Sequence, residues 1–175
     1  FSYGEADLAQ MLHDIDMARD LGLAGVVFGA LTDEGALDSH VLQRLSRHAA
    51  GLDLTLHRAF DCCGPDFDRA VDTAIELGFD RVLTSGGEKT ALEGLNALER
   101  IFTKAGNRIT IMPGSGISAA NVEKLLSRLQ ITEVHSSCSK PVSMAHGLDA
   151  NLGFVQEGRR ETNPVFVRVW KRALV

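Results

Sequence analysis

Three side chains suited to chemistry crowd the end of a predicted core strand. His57, Arg58 and Asp61 fall within five positions of the run T-L-H-R-A-F-D-C-C, residues 55–63. A histidine can act as a general base or ligand, an arginine can bind an anion through two parallel hydrogen bonds, and an aspartate can orient either. The structural alternative is an Arg58–Asp61 ion pair beside an inward-facing histidine. Strict alternation points Arg58 away from His57, so convergence of all three needs a bulge or turn.

A second pair of titratable groups stands further along the chain. Glu133 and His135 are two residues apart, on one face of a predicted strand. They are candidates for an acid/base pair or for metal ligands. Glu133 lies deeper, however, and a structural role in neutralising Arg81 or Arg108 is equally open.

Two glycine-containing loops are candidates for binding an anion. Gly114, Ser115 and Gly116 follow one predicted strand, and Thr84, Ser85 and Gly86 follow another; both loops lead into helices. Glycine lets backbone N–H groups approach an anion closely. The alternative is that the glycines serve only the dihedral angles of tight turns. With the ionisable groups above, these loops predict a site for a small anionic ligand.

Soft metal donors also occur near these strand ends. Cys62 and Cys63 directly follow Asp61, Cys138 lies just past His135, and Met112 ends a predicted strand. Thiolates and thioethers suit Cu(I), and thiolates also suit Zn²⁺. Adjacent cysteines chelate a single ion poorly, because successive side chains diverge. Small apolar side chains in a loop are the competing interpretation.

The elements that position these residues alternate between strand and helix. Five β-branched or apolar runs are predicted strands, and each is followed by a loop and most by a stretch of helical periodicity. Such alternation indicates βαβ units, a parallel sheet and the α/β class. The predicted strands are residues 25–29, 52–60, 81–85, 108–112 and 132–136; the helices are 5–21, 39–50, 67–77, 91–105 and one capped by Ser118.

The strand interiors favour a barrel over an open doubly wound sheet. Strands of an open parallel sheet are apolar on both faces. In the predicted strands, the residues of one face are mostly polar and those of the opposite face are apolar. A polar inner face indicates the lumen of a TIM (β/α)8-type barrel, which needs eight strands. The inner set is Thr55, His57, Thr84, Thr110, Met112, Glu133 and His135; the outer set includes Leu54, Leu56, Val82 and Ile111.

Composition excludes several functional classes. The 175 residues are 45% hydrophobic and carry a net charge of −5 without a long basic run, which argues against nucleic-acid binding. No apolar run is long enough to span a membrane. Three cysteines, two of them adjacent, do not form a disulfide framework and favour a reducing compartment. We expect one domain over 1–175, with 141–175 as a looser tail and helix in which Trp170 packs on the domain.

The ordered motifs resemble the CutC copper homeostasis family over residues 1–140. They resemble that family's barrel strands four to eight, which implies that the N-terminal third of the barrel is missing. The motifs are F-S-Y (1–3), G-V-V-F-G-A-L-T (25–32), H-R-A-F-D (57–61), G-F-D-R-V-L-T-S-G (78–86), I-M-P-G-S-G (111–116) and E-V-H-S (133–136).

The resemblance implies a cytoplasmic, often oligomeric TIM barrel associated with copper tolerance and Cu(I) binding. The cysteines to which Cu(I) binding is attributed in the family belong to the missing strands, and Cys62-Cys63 is not a family motif. We therefore expect a copper homeostasis protein that binds Cu(I). One alternative is a lyase- or hydrolase-like enzyme that uses His57 or His135 as base on a small anionic ligand held by Arg58 and the loop 114–116. Another is a non-catalytic scaffold. A five-stranded piece of a barrel exposes two edges, so we also expect a homo-oligomer.

Overall fold

The chain folds as alternating helices and strands. A computed structural model describes residues 1–142 and 160–174. The elements, in chain order, are α1 (Glu5–Asp20), β1 (Gly25–Phe28), α2 (Ser39–His48), β2 (Asp53–Leu56), a 3-10 helix (Arg58–Cys63), α3 (Phe67–Glu76), β3 (Arg81–Thr84), α4 (Leu95–Ala105), β4 (Thr110–Pro113), α5 (Val122–Leu126), β5 (Ser139–Pro141), β6 (Arg160–Thr162) and α6 (Pro164–Ala173).

The central sheet is parallel, with the strand order β1-β2-β3-β4. Its register pairs Val27 with Thr55, Thr55 with Arg81, and Arg81 with Thr110. This arrangement confirms the predicted α/β class. The short strands β5 and β6 form a separate antiparallel pair. Within residues 1–142 and 160–174, every helix is too short or too polar to cross a membrane.

The two faces of the sheet differ as predicted, with one correction. Leu54, Leu56, Val82 and Ile111 are buried together on one face, against the helices. Thr84 was assigned to the opposite, polar face, and that prediction is wrong. Thr84 is two residues after Val82 and therefore shares its face, so β3 contributes Arg81 and Leu83 to the polar face instead.

Two predicted elements take other forms. Residues 57–60 were predicted to continue the second strand, but β2 ends at Leu56 and the 3-10 helix follows. Residues 132–136 were predicted to be a fifth strand, but they form no strand. The backbone bond from His135 N–H to the Pro113 carbonyl, at 2.9 Å, attaches this segment to β4, and no continuous ladder follows.

Side-chain capping explains where two of the described α-helices begin. Asp38 begins α2 by accepting hydrogen bonds from the N–H groups of His40 and Val41. Asn163 caps α6 in the same way, and Pro164 occupies its first turn, where no N–H is needed. The predicted cap at Ser118 is wrong: α5 is a short helix that begins after Asn121.

The C-terminal helix α6 packs on the rest of the chain through Trp170. This side chain is buried in a cluster with Leu98, Val122 and Leu125 of α4 and α5. The cluster is distinct from the larger core between the sheet and α1–α3. Trp170 thus fixes α6 beside the segments that follow β4, where the candidate site lies.

Candidate functional site

The 3-10 helix turns the chain so that Arg58 and Asp61 point toward each other. It starts at His57, whose Nδ1 accepts a hydrogen bond from the Ala59 N–H at 3.1 Å. This cap ends the strand geometry one residue after β2. The turn resolves the conflict that strict alternation posed, because residues i and i+3 of a 3-10 helix share a side.

The carboxylate of Asp61 joins the 3-10 helix to the loop after β3. Its side chain is 8% exposed, and its Oδ2 accepts the Nε–H of Arg58 at 2.6 Å. Its Oδ1 accepts the Thr84 hydroxyl at 2.5 Å and the N–H groups of Ser85 and Gly87 at 3.0 and 3.1 Å. A carboxylate with hydrogen bonds to both oxygens is held in one position. We call Asp61 and its partners Arg58, Thr84, Ser85 and Gly87 the Asp61 hub.

The loop after β3 therefore has few donors left for a ligand. The N–H groups of Ser85 and Gly87 bond to Asp61, and that of Gly86 bonds to the Thr84 hydroxyl at 2.9 Å. Thr84, Ser85 and Gly86 were predicted to bind an anion. In this structure the anionic group bound at this loop is the carboxylate of Asp61 itself.

Arg58, in contrast, has hydrogen-bond donors that the described residues leave unpaired. Its Nε bonds to Asp61, and its Nη2 donates to the Ser85 hydroxyl at 2.7 Å and the Glu88 carbonyl at 3.1 Å. Its Nη1 makes no hydrogen bond with residues 1–142 or 160–174. The side chain is 39% exposed and lines a cleft.

The loop after β4 has unpaired backbone donors. The Gly114 N–H is bonded to the Thr84 carbonyl at 2.9 Å. In contrast, the N–H groups of Ser115, Gly116 and Ile117 have no partner in the part of the chain that the structure describes. Ser115 adopts a left-handed φ of 79°, which is unusual for a residue other than glycine. Its hydroxyl bonds to the Lys89 carbonyl at 2.7 Å and helps to hold that conformation.

Arg58 and this loop line one cleft of about 800 Å³. Residues 115–120 and 135–139 line it together with Leu83. The helix α6 lines it through Val165, Phe166, Val169 and Trp170. The cleft is therefore the place where the predicted anion-binding residues Ser115 and Gly116 meet Arg58 and His135.

His135 lies close to Gly114, the glycine that follows β4. A Cβ added to Gly114 would stand 3.3 Å from the His135 Cβ and 2.5 Å from the Leu83 Cδ1. Any side chain at Gly114 would thus clash with Leu83 and His135, which line the cleft. His135 is exposed and belongs to the cleft, whereas Glu133 does not line it.

Glu133 is paired elsewhere, which supports its structural interpretation. Its Oε2 accepts the Nε–H of Arg81 at 2.8 Å, and Arg81 also donates to the Thr55 hydroxyl at 3.2 Å. Arg81 is the first residue of β3, so this network lies at the strand ends opposite the Gly114 loop. Glu133 therefore does not line the cleft with His135 in this structure.

His57 is held apart from the cleft. Its ring lies 4.7 Å from that of Phe1, and a Cβ on Gly29 would come within 2.5 Å of its Nδ1. Burial lowers the pKa of His57 below its ordinary value. Since Nδ1 accepts the Ala59 N–H, the neutral ring carries its proton on Nε2.

The predicted soft donors are not brought together. Cys62 is exposed and Cys63 half-buried, and both line a small depression beside residues 34–37, whereas Cys138 lines the cleft. Burial raises the pKa of Cys63 to about 11, so its thiol is protonated at neutral pH. Met112 lies on the polar face of β4. Among the described residues, no three His, Cys, Asp or Glu side chains gather as metal ligands.

The sequence did not predict that several residues of the C-terminal tail would line the cleft. Phe166, Val169 and Arg160 belong to the tail, for which we expected only a packing role. The amphipathic spacing of α6 was the available signal, but it marks one helix face without saying whether that face lines a core or a cavity.

Comparison with known proteins decides the family. The CutC family model matches residues 1–140. A CutC family protein of Rhizobium meliloti (strain 1021) is 49% identical over 174 residues, which cover 99% of this chain and 71% of the relative. The chain belongs to the CutC family. The resemblance given by the motifs is thereby confirmed.

Solved structures agree with this assignment. A candidate copper homeostasis protein CutC from Streptococcus agalactiae aligns with a TM-score of 0.73 and 29% identity, over 77% of this chain and 65% of that protein. An aldolase aligns with a TM-score of 0.59 at 14% identity, over 73% of this chain and 60% of its own, which shows the fold alone. The chain spans less than two thirds of the length of either solved protein. The TIM-barrel-type α/β fold of the CutC family is the one predicted.

Proposed function

We propose that this CutC family protein binds a small anionic ligand in the cleft between the Gly114–Ile117 loop and α6. The observation that carries the proposal is the coincidence of unpaired donors on one cleft. The N–H groups of Ser115, Gly116 and Ile117 and the Nη1 of Arg58 have no partner among the described residues. Donors fixed in place without a partner are suited to an anion, because the ligand completes their hydrogen bonds.

The position of the loop supports the same proposal. In TIM-barrel proteins, ligands bind at the carboxyl ends of the strands, and late loops often hold phosphate. The Gly114 loop is at the carboxyl end of β4, and Arg58 follows the carboxyl end of β2. The Asp61 hub neutralises one side of the Arg58 guanidinium group and leaves the other side for the ligand.

An enzymatic role is part of this proposal, in a lyase- or hydrolase-like reaction. His135 supplies the imidazole among the described cleft residues, so it is the group placed for proton transfer. His57 does not line the cleft, which removes it as the first choice for the base. The anion would be held by Arg58 and the loop while His135 moves the proton.

Titration with inorganic phosphate tests the proposal. We expect Arg58→Met to weaken phosphate binding by about tenfold, since a charge-assisted hydrogen bond is lost. Arg128→Met is the matched control, because Arg128 is a half-exposed arginine paired with Glu99 at 2.8 Å away from the cleft. Circular dichroism establishes that both variants are folded.

A second readout does not depend on altering Arg58. The amide ¹H–¹⁵N resonances of Ser115, Gly116 and Ile117 should shift on saturation with phosphate, whereas those of Gly86 and Gly87 should shift less. If the three loop amides stay unmoved at saturating phosphate, the proposal is wrong.

Cu(I) binding is the second candidate, and the family relationship favours it. The solved Streptococcus agalactiae relative is described as a candidate copper homeostasis protein. On this chain Cys138 and His135 line the same cleft and are three residues apart. The described residues do not gather the full predicted donor set, so we propose a site built around Cys138 and not around Cys62 or Cys63.

Anaerobic Cu(I) titration against a strong chelator separates these sites. The cleft site predicts that Cys138→Ser weakens Cu(I) binding, whereas Cys62→Ser/Cys63→Ser leaves it unchanged. The reverse pattern would assign the metal to the cysteine pair. Absence of submicromolar affinity in the unaltered protein would eliminate the copper role for this chain.

A further inference from the structure

The cleft has an apolar wall that an inorganic anion would leave untouched. Val165, Phe166 and Val169 of α6 line the cleft and are 51%, 46% and 47% exposed. Their positions in the helix place them along one side, next to buried Trp170, which anchors α6 to the domain. Large apolar side chains fixed at the edge of a cavity are typical of ligand sites, because they contact an apolar part of the ligand.

The charges on the cleft select the sign of the ligand. Two arginines, Arg58 and Arg160, line it, and none of the described lining residues is an aspartate or a glutamate. This is notable in a chain with a net charge of −5. A local excess of positive groups in an acidic protein attracts an anion.

The cleft is much larger than a bare anion. About 800 Å³ lies toward the upper end of the usual range for small-molecule sites. A phosphate at the Ser115–Ile117 loop would leave most of that volume, and the wall of α6, without contact.

We propose that the ligand is a small amphiphilic anion. Its phosphate or carboxylate group binds at Arg58 and the Ser115–Ile117 loop, and its aromatic or branched hydrocarbon group lies against Phe166 and Val169. This inference rests on the proposed function and narrows its ligand to one chemical class.

A series of phosphate esters tests the inference. Calorimetric titration compares inorganic phosphate, phenyl phosphate and glycerol 3-phosphate, which carry no group, an apolar group and a polar group. We expect phenyl phosphate to bind about tenfold more tightly than the other two, because ring burial is favourable. Phe166→Ser/Val169→Ser should bring the ratio of the affinities for phenyl phosphate and inorganic phosphate close to one. Met17→Ser, at a half-exposed position of α1, is the control for loss of an exposed apolar side chain.

The outcomes separate this inference from the proposed function. If inorganic phosphate binds and phenyl phosphate binds no better, the amphiphilic ligand is wrong and the anion site stands. If no phosphate compound binds, both fall. Vesicles of phosphatidylcholine with and without phosphatidic acid distinguish a soluble ligand from a lipid headgroup. Binding to the anionic vesicles without binding to phenyl phosphate would overturn the small-ligand proposal.

Discussion

Asp61 and Arg58 form an ion pair, Oδ2 to Nε, of 2.6 Å across one turn of a 3-10 helix. The pair fixes which part of the arginine has no partner among the described residues and can bind a ligand. Because Asp61 also accepts bonds from Thr84, Ser85 and Gly87, it attaches β3 and its loop to the same turn. The geometry of the cleft therefore depends on a residue that is not exposed to it.

Asp61→Asn should destabilise the protein and disorder Arg58. The amide keeps one acceptor oxygen but turns an NH₂ group toward donors, so charge-assisted hydrogen bonds to Arg58 and the Ser85 N–H are lost. We expect the free energy of unfolding in urea to fall by about 2 kcal/mol. Asp72→Asn, which alters a partly exposed ion pair with Lys104 at 2.6 Å, should cost much less. Equal losses in the two variants would show that Asp61 is not a hub.

Stability should depend on pH through His57. Its pKa is lowered in the folded protein by burial, so the unfolded chain binds a proton more readily between the folded pKa and about 6.5. The stabilisation is full above pH 6.5 and is lost as the pH falls toward the folded pKa, where protonation also breaks the bond from Ala59 to Nδ1. Urea unfolding from pH 7.5 to 5.5 should show this fall, and His57→Gln should flatten it. His13→Gln, at an exposed position of α1, should retain the slope; a slope unchanged by His57→Gln would contradict the account.

The two adjacent cysteines should differ in reactivity. With a pKa of about 11, only about one Cys63 thiol in a thousand is ionised at pH 8, and its side chain is also half-buried. Cys62 is exposed. Iodoacetamide at pH 8, followed by mass spectrometry of the tryptic peptide 59–69, should find Cys62 alkylated well before Cys63. Equal rates of alkylation at the two positions would mean that Cys63 is not protected as the structure indicates.

The predicted oligomer can be tested at the edge of the sheet. Within the described residues β1 pairs with β2 alone, and Val27 on it is 61% exposed. An unpaired parallel edge with an apolar side chain favours association with another chain. Light scattering after size-exclusion chromatography should give a mass above 18.9 kDa, and Val27→Lys should shift it toward the monomer. A monodisperse monomer that melts cooperatively would contradict this prediction.

The sequence predicted the architecture better than the site. Periodicity located β1 to β4 and most of the helices, because each carries its own apolar pattern. It failed at residues 57–63, where the bond from Ala59 to His57 Nδ1 starts a 3-10 turn that alternation cannot reveal. It placed Thr84 on the wrong face, and it proposed a strand at 132–136 where His135 makes a single backbone bond to Pro113.

The sequence located only some of the residues of the candidate site, because the others are placed by long-range contacts. Ser115, Gly116, Arg58 and His135 do line one cleft, as their positions at strand ends suggested. The roles of Thr84, Ser85 and Gly86 depend on Asp61, which reaches them from a different segment of the chain. Phe166 and Val169 join the site only because Trp170 anchors α6 beside it. Such long-range contacts leave no local mark in a sequence.

A crystal structure of the protein soaked in sulfate or phosphate at saturating concentration would show whether the cleft binds an anion. We expect one anion within hydrogen-bonding distance of the Ser115 and Gly116 N–H groups and the Arg58 Nη1, and none at the Ser85–Gly87 loop. An empty Ser115–Ile117 loop at saturating anion, in crystals whose packing leaves the cleft open, would contradict it.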